Sequence, residues 1–322
     1  MIVLTGGAGF IGSGILARLN SSNIKDIWIV DHIVKDDLKK KNLVGKKYLK
    51  YTDKTDFLKL VRAQKIDPTV DCIIHMGACS STTLNDAAYF RRNNFEYSRS
   101  LARWARAKKV RFIYASSAAT YGDGARGYKD DEATALRLRP LNLYGKSKQA
   151  FDLWVIKNGL TDRMVGLKFF NIFGPNEYHK GDMRSVIAKS YPKAVKEGTI
   201  GLFKSYKAEY PHGEQKRDFL YVKDAVDVVM FFLEHPEKSG IFNVGSGKAC
   251  SWNDVAKAIF AALKEPPRVT YFDMPVELRD QYQYFTQADM TRLRDTGYSK
   301  SFMELEDAVA DYLSYLKENR YW

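Results

Sequence analysis

No stretch of this chain approaches the roughly 18 consecutive apolar residues that a membrane-crossing helix needs. No basic segment precedes an apolar one near the start either. Met1 leads straight into Ile2-Val3-Leu4, so no signal peptide is expected. Cysteine is scarce: Cys72, Cys79 and Cys250 are odd in number and scattered, giving neither a disulfide framework nor metal-ligand spacing. A reduced, cytoplasmic, metal-free protein is the expectation. Internal repeats, low-complexity tracts and concentrated basic blocks are also missing. That last absence weighs against nucleic acid as a partner, because the formal charge of +13 is spread along the chain. Most of the excess reads as a lysine-rich solvated surface; a positive cleft would also attract phosphorylated small molecules.

What is present is a 322-residue chain, 45% hydrophobic and 13% aromatic, long enough for one large α/β domain and a smaller one. Residues 2 to 5 read as a short buried strand, followed at once by Thr5-Gly6-Gly7-Ala8-Gly9-Phe10-Ile11-Gly12. Beyond it Ile11, Ile15, Leu16 and Leu19 recur at helical spacing. Glycines between a strand and a helix are the context of a dinucleotide fingerprint. Gly7 is expected to make the tight turn, Gly9 to admit a pyrophosphate, and Gly12 to let helix and strand pack closely. The helix N-terminus then offers unpaired N–H groups to phosphate. The second strand, Ile27-Trp28-Ile29-Val30-Asp31, ends in an acid where ribose hydroxyls are expected. Such an acid favours NAD, yet Lys35, Lys39, Lys40, Lys41 and Lys54 can neutralise a 2′-phosphate, so these residues alone leave NAD and NADP open.

Val70–His75 is a further buried strand, running into the small residues Met76-Gly77-Ala78-Cys79-Ser80, and a helix is expected over about 86 to 108. The strand from Val110 delivers Ser116 and Ser117 to the carboxyl edge where ligands of open parallel sheets bind. Tyr144 and Lys148 then stand four apart, one turn apart on one helix face. A lysine ammonium there is expected to lower the tyrosine pKa and fit it for proton abstraction from an alcohol, with a strand-end serine bonding the same oxygen. After Arg163–Phe170 the strand-helix alternation gives way at Asn171. The fold expected is α/β, a Rossmann-type doubly wound parallel sheet with a smaller α/β substrate domain. Residues 1–171 with about 216–239 form the dinucleotide-binding domain, and about 172–215 with 240–322 the substrate-binding one.

The glycine turn, Asp31, the strand-end serines, and Tyr144 with Lys148, in that order, resemble the extended short-chain dehydrogenase/reductase family, whose members act mainly on nucleotide sugars. The resemblance covers the whole chain and implies that Ser117, Tyr144 and Lys148 work as a unit with bound NAD(P). Within the family, Gly77–Thr83, Tyr114–Gly122, His179-Lys180-Gly181 and Phe285–Asp289 are similar to the ADP-L-glycero-D-manno-heptose 6-epimerases, which supply the heptose of the lipopolysaccharide inner core. This implies a cytoplasmic homo-oligomer, a pentamer, that binds one NADP tightly per subunit and acts on an ADP-heptose. It implies Lys180 as a second acid–base group, and Lys39 and Lys54 at the 2′-phosphate. The cofactor contacts implied are Gly6, Gly7, Gly9, Phe10, Ile11 and Gly12 in the turn, and Asp31 and His32 after the second strand. Met76 to Ser80, Asn93 and Ile172 complete them, with Tyr144, Lys148 and Lys180. Ser117, Asn171, Asp182, Lys189, Phe203, Lys204, Ser205, Arg217 and Tyr282 match substrate-contacting positions, Arg217 suiting a diphosphate by its planar donor fork.

The chain departs from that pattern in carrying Asp182 where serine is common, Lys189 where histidine is common, and a longer segment between Phe203 and Arg217. Ala118-Ala119 stand where a nucleotide-sugar 4,6-dehydratase needs an acid pair. Two alternatives remain at this level. One is a 4-epimerase of the UDP-glucose type, against which His179-Lys180-Gly181 argues. The other is a non-catalytic NADP-sensing or RNA-binding member of the fold, which has no need of Ser117, Tyr144, Lys148 and Lys180 together.

Overall fold

The computed structural model describes residues 1–32, 37–279 and 282–322. Lys35 lies outside the described residues. Seven parallel strands form the central sheet: β1 (Ile2–Thr5), β2 (Ile27–Asp31), β3 (Lys50–Asp53), β4 (Cys72–His75), β5 (Arg111–Ser117), β6 (Met164–Phe169) and β10 (Gly240–Val244). Their order is β10-β6-β5-β4-β1-β2-β3. Along the chain the strands first step outward from β1 to β3. They then restart at β4 on the other side of β1. The crevice between β1 and β4 is thus the topological switch point, where a ligand is accommodated.

Both faces of this sheet are covered, so the inner strands β1, β2 and β4 are buried along their whole length, whereas the edge strand β3 is half-buried and largely polar. Ile2 and Leu4 pack toward the helices Phe10–Ser21 and Val222–Glu234, whereas Val3 packs toward the helices Lys54–Arg62, Tyr97–Lys108 and Leu143–Lys157. Among the described residues no helix is long and apolar enough to cross a membrane.

Two smaller sheets lie outside the main one. β7 (Asn171–Phe173), β9 (Lys216–Tyr221) and β11 (Ala249–Ser251) form one; β8 (Ile200–Phe203) and β12 (Val269–Phe272) form the other. This corrects the expected boundaries. Residues 240–244, assigned to the smaller domain, supply the main sheet's β10, paired with β6 from Gly240↔Val165 onward. Lys216–Tyr221, assigned to the larger domain, pairs with β7 and β11, and only the helix after it packs against Phe10–Ser21. A short apolar strand carries no local mark of its partner, which is why pairing over such sequence distances escaped the pattern.

The glycine turn differs from expectation in one residue. Positive φ falls on Gly6, at +69°, whereas Gly7 is pressed against β2: a Cβ there would lie 2.8 Å from Ile29 Cγ2. The tight turn therefore belongs to Gly6, and Gly7 is a packing residue. Gly12 is the closest approach, since a Cβ on it would sit 2.1 Å from the Gly6 carbonyl oxygen, a backbone atom that cannot yield cheaply. Gly12→Ala is expected to lower stability by about 1–3 kcal/mol, the usual cost of overpacking. It is also expected to strip the purified protein of dinucleotide. A urea midpoint and the nucleotide content of the purified variant check both, and a wild-type-like variant would contradict the close packing.

Candidate active site

The helix Leu143–Lys157 starts where Asn142 caps it, its side chain accepting from Gly145 N at 2.8 Å. Tyr144 and Lys148 lie on its inner face, across from the end of β5. Together with Ser117, Lys180 and the loops after β1, β2 and β4 they line one cavity of about 570 Å³ at the switch point. Gly6, Gly9, Phe10, Ile11, Gly12, Asp31, His32, Lys39 and Lys54 line it, as do Met76 to Ser80, Asn93 and Ile172. Gly7 does not, for the packing reason given above.

The cradle fits a dinucleotide. The first helix begins at Gly9 with no side-chain cap, so its first-turn N–H groups have no side chain to bond them. A Cβ at Gly9 would stand 3.0 Å from the Gly6 carbonyl, so only glycine keeps the backbone open to a diphosphate. At the β2 end, Asp31 Oδ2 accepts from Ala8 N at 3.1 Å. Its Oδ1 accepts from His32 N at 2.9 Å and from Lys39 Nζ at 2.8 Å. Burial pushes the Asp31 carboxyl up, but the His32 bond and the Lys39 ammonium outweigh it and hold it below the usual range. Lys54 Nζ donates to Asn93 Oδ1 at 2.8 Å.

The two strand-end serines have separate jobs. Ser116 Oγ donates to Asp152 Oδ2 at 2.7 Å, inside the molecule, whereas Ser117 lies beside the Tyr144 hydroxyl and its Oγ accepts from Ala119 N at 3.1 Å. The expected lowering of the Tyr144 pKa is not found. Burial raises it, and Ser117 only partly compensates. The reason is geometric: Lys148 Nζ lies 6.0 Å from the Tyr144 ring centre and donates instead to the Ala115 carbonyl at 2.7 Å. Burial in turn lowers Lys148 to about 8, despite Asp152 nearby. Lys180 is also pushed down by burial and by Lys189, with Glu177 opposing.

Several residues beneath the site went unread in the sequence. Asn94, in a π-helical stretch over Arg91–Glu96, clamps Cys79 N and O at 2.9 Å each and bonds Ser147 Oγ at 2.9 Å. It thereby ties the β4 loop to the Tyr144 helix. Asn42 donates to Ala8 O at 3.0 Å and Asn176 O at 3.2 Å, and Asn176 donates to Ser13 Oγ at 3.0 Å. These bonds fasten the turn Tyr178–Met183, which carries Lys180, to the glycine-turn helix. Asp152 is fully buried with Lys168 at 2.5 Å and also accepts from Tyr114 OH at 3.0 Å. Its spacing four residues past Lys148 is the one signal that was legible.

The expected substrate residues divide. Arg217 is buried, its guanidinium 4.9 Å from the Tyr282 ring centre and 5.8 Å from that of Trp252, with Phe203 edge-on to Tyr282. Lys204 pairs with Asp273 at 3.3 Å, and Ser205 N donates to His212 Nδ1 at 3.1 Å. Asn171, Asp182 and Lys189 are exposed, Lys189 Nζ donating to the Asp182 carbonyl at 3.3 Å. None of these lines the cavity. The side chains of the small domain are arranged around Arg217 instead.

Lys168→Met, which leaves Asp152 buried without its cation, is expected to cost about 3–5 kcal/mol in urea unfolding. A loss below about 1 kcal/mol would show that the Tyr114, Ser116 and Asp152 bonds carry the pocket alone.

Residues 2–245 match the model of the NAD dependent epimerase/dehydratase family. The chain is 50% identical over 313 residues to an ADP-L-glycero-D-manno-heptose-6-epimerase of Nitratidesulfovibrio vulgaris, covering 97% of each chain. It is 44% identical to the same enzyme of Fusobacterium nucleatum over the whole of both chains. The crystal structure of the Helicobacter pylori enzyme of that name superposes with a TM-score of 0.82 at 29% identity, covering 98% of this chain and 96% of that one. The chain belongs to the NAD dependent epimerase/dehydratase family.

Proposed function

We propose that this protein inverts C6 of ADP-D-glycero-D-manno-heptose to give the L-glycero isomer, through a transient 6-keto sugar. The relatives' shared name supports the substrate. The observation that carries the chemistry is that Tyr144 with Ser117, and Lys180 from a different part of the chain, open onto one cavity. Inversion at C6 in this reading uses a proton donor and acceptor on each of two faces, because the keto sugar turns over between oxidation and reduction. A bound nicotinamide dinucleotide supplies the hydride acceptor and donor and, when oxidised, a positive ring that favours the Tyr144 phenolate. Tyr144 exchanges the proton of the 6-oxygen in one orientation, with Ser117 bonding that oxygen, and Lys180 does so in the other. Lys148, held by the Ala115 carbonyl, supplies positive charge behind Tyr144. Arg217, at the aromatic cluster, takes the diphosphate.

We assign NADP as the cofactor. Asp31 already accepts from Ala8 N, His32 N and Lys39 Nζ, so little of it is free for a ribose hydroxyl, while Lys39 and Lys54 offer cations. The family resemblance carries the rest of the reading, a cytoplasmic homo-oligomer, a pentamer, serving lipopolysaccharide synthesis.

Proton NMR of ADP-D-glycero-D-manno-heptose with the purified protein and no added cofactor is expected to show the L-glycero isomer. Tyr144→Phe and Lys180→Ala should each lose at least about 100-fold in rate, the usual contribution of a general acid–base group. An unchanged spectrum from folded, cofactor-loaded protein would redirect the reading to UDP- or GDP-hexoses, and an active Lys180→Ala would favour the single-base 4-epimerase. Nucleotide released on denaturation is expected to be mainly NADP; mainly NAD would overturn that assignment.

A further inference from the structure

Glu177 is fully buried, three residues before Lys180, and does not touch the cavity. Its Oε1 accepts from Ser185 Oγ at 2.6 Å, Tyr312 OH at 3.0 Å and Gly174 N at 3.5 Å. Its Oε2 accepts from Ser185 N at 2.6 Å and stands 3.9 Å from Lys180 Nζ. Every one of these donors except Lys180 is neutral. A neutral acceptor would serve to cap the helix Val186–Glu197 and to hold Tyr312, so a purely structural role does not call for a buried carboxylate. Among the described residues the charge has one cation within 4 Å, and that cation is Lys180.

Lys180 needs such a partner. Its Nζ lies 4.8 Å from the centre of the Phe10 ring, with the side chain 22% exposed. Lys189, on the helix Val186–Glu197, opposes it with like charge. His179 beside it turns toward Asn42, Nδ2 to Nδ1 at 3.3 Å, and Tyr178 bonds the carbonyls of Tyr315 and Arg320. From the C-terminal helix Leu305–Glu318, Tyr312 reaches Glu177 rather than Lys180. The Phe10 face attracts the ammonium only weakly, and an ammonium set beside a like charge with little water sheds its proton unless an anion holds it.

We infer that Glu177 is a positioning residue for the second acid–base group: its buried carboxylate fixes the Lys180 ammonium at the cavity wall and keeps it protonated. This rests on the reading of Lys180 given above. The burial of Lys180 lowers its pKa and Glu177 opposes the fall, in the sense the geometry requires. Removing the negative charge disfavours the charged form, so the Lys180 titration must move to lower pH.

The test is a direct titration. Lysines of the intact protein are reductively methylated with 13C-formaldehyde, and the Lys180 resonance is assigned by its loss in Lys180→Ala. Its midpoint is expected to fall by at least about one pH unit in Glu177→Gln, as for loss of an opposite charge within about 4–6 Å. The Lys180-dependent limb of the epimerase pH profile should move the same way. Ser185→Ala, which removes a cap but no charge, should lower the urea midpoint and leave the Lys180 titration where it was. A wild-type titration in folded Glu177→Gln overturns the inference. If that variant does not fold, Glu177→Asp decides, since its retracted carboxylate should give a midpoint below wild type, and an equal one sinks the idea. The titration is read without turnover. A protein that does not epimerise would therefore fail the functional reading while leaving the effect of Glu177 on Lys180 measurable.

Discussion

The site depends on contact between two pieces of backbone, the one leaving β1 and the one leaving β4. A Cβ on Gly6 would lie 2.7 Å from Gly77 N, so the two loops meet with nothing between them. The contact is pinned from below by His75. Gly77 N donates to Thr5 Oγ1 at 3.2 Å, and Thr5 Oγ1 meets His75 Nδ1 at 2.6 Å. Ser98 Oγ gives its proton to the Asn94 carbonyl, so it accepts from His75 Nε2 at 2.8 Å, which places a proton on Nε2. Burial, with Lys148 nearby, pushes the His75 imidazolium down to about 3, in keeping with that assignment. The Asn94 side chain then carries the same frame up to Cys79 and across to the Tyr144 helix. The glycine turn and the Tyr144 helix are positioned by one continuous set of bonds.

Charge inside this frame follows a consistent rule. Asp31 has Lys39, Asp152 has Lys168, and Glu177 has Lys180, each within 4 Å. Lys148 is the exception, since it donates to a carbonyl dipole and burial brings it down to about 8. A buried charge held by a dipole rather than by an ion is easier to neutralise, and this one lies one helical turn from Tyr144.

How much of this was legible in the sequence depended on distance along the chain. The glycine turn, the acid at the β2 end and the Tyr144–Lys148 face are set within one or two elements, and local periodicity exposes them. The turn itself was misassigned by one residue, because which glycine takes positive φ depends on how Gly7 packs on Ile29. Asn42 and Asn176 meet across 134 residues, and the Ser185 and Tyr312 donors that surround Glu177 come from two further helices. No spacing rule joins them. The Tyr144 pKa was misjudged for a related reason: the pattern gives the helical face, but the direction of the Lys148 side chain is set by the Ala115 carbonyl on another strand.

The long segment after Phe203 is anchored away from this frame. Tyr206 bonds Asp273 and stacks under Arg279, Lys207 lies over Tyr284, and Asn253 ties His212 and Glu214 to the helix Trp252–Leu263. Its attachments run to the outer strands and helices, whereas Lys148 is held by the Ala115 carbonyl of the central sheet and Lys180 stands by Glu177, which Ser185 and Tyr312 hold. Insertions and exchanges in that segment can therefore drift without loosening the placement of Tyr144 and Lys148. In evolutionary terms the chain is modular, with a central scaffold that holds its buried pairs and an outer segment that can change independently of it.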